Sequence, residues 1–187
     1  MEDVYIRRLK DGDSSALEPL MRLHQDMVFT VALRMVKDRS VAEEVTQDVF
    51  IKVFRKIDSY EQRSKFTTWL YTIAYRTCLN YLQKKDVTVA QSRLSDAERR
   101  QGEVDDSRRV ATPHKKREDQ EAIWQAIDTL EPLQGVTISL FYLQMFSVKE
   151  ISDIMEIPEN TVKTHLHRGR KELRKVLLAQ YREEELV

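Results

Sequence analysis

The sequence predicts an all-α protein built as two small helical domains on a polar tether. Three observations carry that expectation. Leu, Glu, Lys, Arg and Gln lose little side-chain freedom in a helix and are abundant, whereas 187 residues include only four Gly and four Pro. Apolar residues recur at helical spacing on both sides of a central segment, residues 87–119, where they are scarce. That segment lies within "DVTVAQSRLSDAERRQGEVDDSRRVATPHKKRED", which has no aromatic residue and carries charges of both signs. It cannot bury enough apolar surface to offset the entropy of ordering, so it reads as a linker between domains 5–86 and 120–182.

In the first domain, Asp13 of "KDGDSSALEPL" is placed to cap a helix, and Pro19 one turn later should kink or restart it. "LMRLHQDMVFTVALRMV" is long and apolar enough to be a central helix. After "KDRS", Ser40 precedes Glu43 by three residues, a capping-box pattern, and a helix should continue to about Ile57. In it Ala42, Val45, Val49, Val53 and Ile57 share one stripe, while Glu44, Gln47, Asp48, Ile51 and Arg55 lie on the opposite face. Ile51 is either an interface anchor on that polar face or an ordinary exposed aliphatic residue. "DSYEQRSK" reads as a loop, followed by a helix from near Phe66 to about Lys85. There Phe66, Trp69, Leu70, Ile73, Thr77 and Tyr81 form an apolar stripe, so Trp69 fits the core better than a base-stacking wedge.

In the second domain, Ile123, Trp124, Ile127 and Leu130 follow helical spacing, and Pro132 and Gly135 should break that helix. "VTISLFYLQMF" has the composition of a short strand or a helix; the helix is favoured because no second strand is available to pair with it. In "SVKEISDIMEIPENTVKTHLHRGRKEL", Ser147 caps a short helix with Glu150 at its third position, and Ile151, Ile154 and Met155 form its inner face. Pro158 ends a tight turn, and Val162 and Leu166 of the next helix can pack back on the first. This is helix-turn-helix spacing, whose second helix enters the major groove of duplex DNA. Thr161, Lys163, Thr164, His167, Arg168 and Lys171 should project outwards. Lys163 and Arg168 can donate to guanine acceptors, and the other cations can neutralise phosphates.

Charge and composition exclude other classes. The chain balances 31 basic against 31 acidic residues, so nucleic-acid binding must be local rather than coat-like. The single cysteine, Cys78, excludes an internal disulfide framework and fits a reducing cytoplasm. No apolar run approaches the ~20 residues of a membrane span, and "MEDVYIRRLKDGD" lacks a signal-peptide core. Neither a Gly-rich phosphate loop nor a nucleophile–base pair is visible, so no enzyme, small-molecule substrate or cofactor is expected. His165 and His167, two residues apart, point to opposite sides of a helix and make no metal site.

Together these motifs resemble the extracytoplasmic-function (group 4) sigma factors of bacterial RNA polymerase. "AEEVTQDVFIKVFRKIDSY" is similar to the family's region 2.2, which docks on the clamp coiled coil of the largest polymerase subunit. "KFTTWLYTIAYRTCLNYLQKK" is similar to regions 2.3 and 2.4, which open and read the −10 promoter element. "TLEPLQGVTISLFYLQMFSVKEISDIMEIPENTVKTHLHRGRKELRK" is similar to region 4, which reads the −35 element. The resemblance covers residues 5–86 and 120–176.

It implies that Glu44, Gln47, Asp48, Ile51 and Arg55 bind core polymerase, whose β and β′ subunits are the expected partners. It implies −10 DNA contacts by Tyr60, Gln62, Ser64, Thr68, Tyr71, Tyr75, Arg76, Asn80, Lys84 and Lys85, with the loop "DSYEQRSK" where the family holds a flipped base. Rings interleaved with cations suit single-stranded DNA, where stacking contributes roughly 1–3 kcal/mol per base. Thr161, Lys163, Thr164, His167, Arg168 and Lys171 would contact the −35 element. The sequence departs from the family at Arg76, where many members have Asn, at Gln83, often basic, and at Glu44, often Asp. The first two bear on −10 preference.

The linker would thread the polymerase's cleft and RNA exit channel. Promoter elements about two helical turns apart lie ~70 Å from each other, and about 35 extended residues reach ~115–125 Å. The resemblance further implies a stress-response role, a cytoplasmic location without membrane insertion, and an anti-sigma factor, commonly membrane-anchored. "TVKTHL" also resembles the recognition helix of two-component response regulators, but that class needs an N-terminal α/β receiver, and residues 1–85 show helical periodicity instead.

Overall fold

The structure is a computed structural model that describes residues 2–92 and 123–184; within them there are helices and no strand. The chain divides into two compact units. In the N-terminal unit the helices are α1 (Glu2–Lys10), α2 (Leu17–Val36), α3 (Arg39–Lys56) and α4 (Phe66–Ser92). Gly12 lets the chain leave α1: at φ 88° it adopts the left-handed conformation that lacks a Cβ penalty only for glycine. Asp13 then caps a 3-10 turn, Ser14–Ala16, by accepting from the Ser15 N–H at 3.0 Å. Helix α2 restarts at Leu17, and Pro19 sits in its first turn, where a missing N–H sacrifices no intrahelical bond.

Lys37 ends α2 in the left-handed region, and Asp38 caps α3 by accepting from the Val41 N–H at 3.0 Å. This corrects the capping box expected from Ser40 and Glu43. Ser40 already lies within α3, and Glu43 pairs with Arg39 at 3.2 Å instead. The stripe of α3 is covered as expected: Ala42, Val45, Val49, Val53 and Ile57 are buried, with Phe50 beside them. Each fully buried Val contributes roughly 1.5–3 kcal/mol. Helices α2, α3 and α4 all pack on one another, and Lys52 of α3 donates to the Thr77 hydroxyl of α4 at 3.1 Å. Cys78 is buried in α4, and desolvation pushes its thiol up to about 12, which leaves it unreactive. No proline or glycine interrupts α4 after Lys85, so it continues to Ser92. The expected linker, 87–119, therefore overlaps α4 at its start, and the rest of it lies outside the described residues.

Further along the chain, residues 123–128 are helical (α5), followed by α6 (Pro132–Tyr142), α7 (Val148–Met155) and α8 (Glu159–Glu184); these belong to the second unit except Ser152–Glu156, which group with the first. "VTISLFYLQMF" supplies most of α6, a helix rather than a strand. The expectation that Pro132 and Gly135 act only as breakers is corrected. Pro132 opens α6 at its first turn, where its fixed φ suits a helix, and Gly135 is buried inside it. Ala126, Ile127 and Leu130 are buried, whereas Ile123 and Trp124 of the same apolar series are exposed. Helix α8 packs on α6, and Gly169 marks their close approach: a Cβ there would lie 2.8 Å from Ile138 Cγ1.

Two predictions follow from these packings. Gly169→Ala gains helix propensity but crowds Ile138, which is itself buried. We expect a net loss of about 1–3 kcal/mol by urea unfolding, partly restored by Ile138→Val. His24 on α2 is buried against Phe66, with ring centroids 5.7 Å apart and its Nε2 3.6 Å from the Glu2 carboxylate. Desolvation holds its pKa below the ordinary value of 6.5, with Glu2 opposing. The unfolded chain then takes up the proton more readily than the folded one. His24's contribution to stability is complete above its unfolded pKa and falls as pH drops through the folded value. Unfolding titrations at about pH 7.5 and about pH 5 should show a smaller acid loss in His24→Gln than in wild type.

Candidate nucleic-acid interface

Helix α7 is started by a reciprocal capping box. The Glu150 N–H donates to Ser147 Oγ at 3.2 Å, and the Ser147 N–H donates to the Glu150 carboxylate at 2.8 Å. Ile151, Ile154 and Met155 of α7 are buried. Glu156 turns the chain in the left-handed region at φ 56°. The Pro158 carbonyl then accepts from the Thr161 and Val162 N–H groups at 2.8 and 3.1 Å, which launches α8. Val162, Leu166 and Gly169 share the buried face of α8. Lys163, Thr164, His167, Arg168 and Lys171 are exposed, and Thr161 is half-buried at the edge of that surface.

The exposed side of α8 therefore carries four permanent cations, Lys163, Arg168, Arg170 and Lys171, with an imidazole and a hydroxyl within three turns. Of these, Arg170 bends back, its Nε donating to the Leu166 carbonyl at 3.1 Å. His165 is half-buried and His167 exposed, and among the described residues no group of three His, Cys, Asp or Glu side chains is placed to hold a metal.

On α3, Glu44, Gln47, Asp48, Ile51 and Arg55 are all exposed, and Ile51 is 47% accessible. Phe54 is also exposed, a residue the sequence analysis missed. Its signal was its spacing: three residues after Ile51, it lies off the valine stripe and beside that side chain on the helix surface. A cleft of about 430 Å³ runs alongside, lined among others by Met21, Phe29, Gln47 and Phe50 of α2 and α3.

The loop before α4 and α4 itself require four corrections among the residues expected to face −10 DNA. Tyr60 is buried: its ring packs on Phe66 and Trp69 at centroid distances of 5.5 and 5.3 Å, and its hydroxyl donates to the Ser64 carbonyl at 2.8 Å. Thr68, Tyr71 and Tyr75 are buried as well, and desolvation raises the pKa of both tyrosines. Helix α4 has both α2 and α3 packed on it, so its covered arc is wider than one stripe. Trp69, Ile73 and Tyr81 are only half-buried. Gln62, Ser64, Arg76, Asn80, Lys84 and Lys85 are exposed. Arg76, Asn80 and Lys84, four apart, form one ridge.

Residues 20–88 match the family model described as Sigma-70 region 2, and residues 120–173 that described as Sigma-70, region 4. The chain is 32% identical to the extracytoplasmic-function RNA polymerase sigma factor SigW of Bacillus subtilis, over 92% of this chain and 94% of that protein. It is 31% identical to the sigma-E factor of Escherichia coli, covering 91% of each. A crystal structure of the sigma factor RpoE from Bartonella quintana, in complex with the anti-sigma factor NepR, shares the fold. The TM-score is 0.66 at 22% identity, over 86% of this chain and 95% of that one.

Burial separates scaffold from surface in a way that unfolding can test. Tyr71→Ala should lower stability by about 3–5 kcal/mol, as for other buried aromatic truncations. Ile51→Asp should stay within about 0.5 kcal/mol of wild type. A reversed order in urea titrations would exchange the two assignments.

Proposed function

The chain belongs to the extracytoplasmic-function group of sigma-70 factors, and on that premise we propose how its surfaces divide the work of transcription initiation. A sigma factor directs RNA polymerase to promoters and is not itself a catalyst; this chain works in the cytoplasm with the polymerase and uses no cofactor or small-molecule substrate. Among the described residues no helix is long and apolar enough to cross a membrane.

The observation that carries the reading is the exposed basic side of α8, opposite its buried Val162–Leu166–Gly169 face. With α8 in the major groove of the −35 element, Lys163 and Arg168 donate to guanine O6 and N7, and each good pair discriminates by roughly 1–3 kcal/mol. Thr161, Thr164 and His167 contact neighbouring base edges or phosphates, and Lys171 neutralises a phosphate.

The exposed side of α3 docks on core polymerase. Ile51 and Phe54 form its apolar centre, and Glu44, Gln47, Asp48 and Arg55 form its polar rim, the usual anatomy of a specific interface. At the −10 element, Gln62 and Ser64 meet an unstacked base while Arg76, Asn80, Lys84 and Lys85 follow the strand. Tyr60, Thr68, Tyr71 and Tyr75 belong to the scaffold behind that surface. Residues 93–119, beyond the end of α4, tether the −10 unit to the −35 unit (120–182).

An anti-sigma factor, as bound to the Bartonella quintana protein, would act by covering these surfaces. The balanced net charge keeps the free protein from binding promoters tightly. Specific duplex binding thus depends on the polymerase holding both units in place.

The test is run-off transcription from a promoter library with purified core polymerase, with and without the protein. Wild type should yield transcripts sharing two spaced elements. Ile51→Asp should lose core binding and transcription together. Arg168→Ala should cost about 1–3 kcal/mol and relax preference at one −35 base, whereas Lys171→Ala should weaken all sequences alike and lower the salt slope by about one. Binding to core without any protein-dependent transcript would overturn the proposal.

A further inference from the structure

The loop between α3 and α4 is held from outside its own sequence. Lys10, the last residue of α1, is half-buried and donates from Nζ to the Tyr60 carbonyl, and its ammonium lies 5.6 Å from the centroid of the Tyr60 ring. Helix α1 is fixed against the unit by buried Ile6 and Leu9 and contacts the 3-10 turn Ile57–Ser59 that leads into the loop. Tyr60 closes that turn, its N–H bonding the Ile57 carbonyl at 3.1 Å.

From there Tyr60 governs the rest of the loop. Its hydroxyl reaches the Ser64 carbonyl four residues on, and its ring is wedged against Phe66 and Trp69 at the start of α4. Between these two anchor points the chain has a short span, and Gln62 adopts the left-handed conformation at φ 57°. A non-glycine residue holds that conformation at a cost, and it persists only where surrounding contacts impose it. Glu61, Gln62, Arg63 and Ser64 are left exposed at the tip, with Arg63 paired to Glu61 at 2.7 Å.

We propose that Lys10 and Tyr60 are positioning residues for −10 recognition: they preset the loop so that Gln62 and Ser64 meet the unstacked base in one geometry. Neither touches DNA. The cation fixes the entry of the loop, and the phenol hydroxyl fixes its exit. Base selectivity then depends on a lysine fifty residues away in sequence. A preformed loop loses less conformational freedom when the base arrives, and it rejects a base whose hydrogen-bonding groups do not meet its own. This inference rests on the −10 reading proposed above and deepens it.

The experiment transcribes a template library randomised through the −10 element, with core polymerase and full-length protein, and compares wild type with Lys10→Met, Lys10→Arg and Tyr60→Phe. Tyr60→Phe keeps the ring and removes only the hydroxyl, so it tests the loop bond without opening the core. Lys10→Met and Tyr60→Phe should each lower discrimination at one −10 position by about three- to tenfold, the scale of one hydrogen bond. Core affinity and −35 preference should stay within about twofold in both, and Lys10→Arg, which keeps a cationic N–H donor, should recover most of the selectivity.

An unchanged −10 profile in both variants would overturn the inference. So would a parallel loss of core affinity and −35 preference, which marks a general structural defect. If wild type itself selects no −10 sequence, the underlying function reading fails, and the wild-type arm alone reveals it.

Discussion

Helix α4 has α2 on one side and α3 on another, and this double coverage governs the N-terminal unit. It buries Leu70, Tyr71, Ala74, Tyr75 and Cys78, which occupy more of the helix circumference than one amphipathic stripe. The exposed residues include a narrow ridge of Arg76, Asn80 and Lys84, with Gln83 and Lys85 beside its end. The aromatic residues that would attract a base in an isolated helix hold the bundle together instead. Polar contacts inside the interface, such as Lys52 on Thr77, fix the two helices laterally as well as in depth.

The same economy separates two kinds of exposed surface. On α3 an apolar pair, Ile51 and Phe54, lies among charges of both signs, the composition of a protein-binding patch. On α8 the exposed residues between 163 and 171 are cationic or hydrogen-bonding without an apolar centre, which suits phosphates and base edges. The chain's overall balance of charge conceals this contrast: residues 163–171 carry four Lys and Arg and no acidic residue, whereas the α3 patch mixes both signs.

Much of this was legible in the sequence. The α3 stripe could be read because its buried and exposed residues alternate with the period of one covered face. The α7 start could be read because Ser147 and Glu150 sit at capping spacing with no competing acceptor nearby. At α3 the same spacing misled: Asp38, two residues earlier, is an equally good cap, and it is the one that accepts from the Val41 N–H. On α4 a single-stripe assumption assigned Thr68, Tyr71 and Tyr75 outwards, because a wheel diagram cannot show how many neighbours a helix has. Tyr60 sits in a polar loop and reads as exposed; only the fold brings Phe66, Trp69 and Lys10 around it. Pro132 signals a boundary in either direction, and sequence alone does not say whether it ends one helix or begins the next.

The missing side chain at Gly169 has an effect at some remove from α6. A cylinder resting on another can roll, but one with a single flat must settle on it. Gly169 is that flat, so the azimuth of α8 is set by the one residue small enough to meet Ile138. At about 100° per residue, Thr164, His167 and Lys171 then fall roughly 160–220° from the contact. The direction in which the exposed face of α8 points is thus set partly by a missing side chain on its far side. A change at position 169 or 138 can rotate that whole face without altering any residue on it.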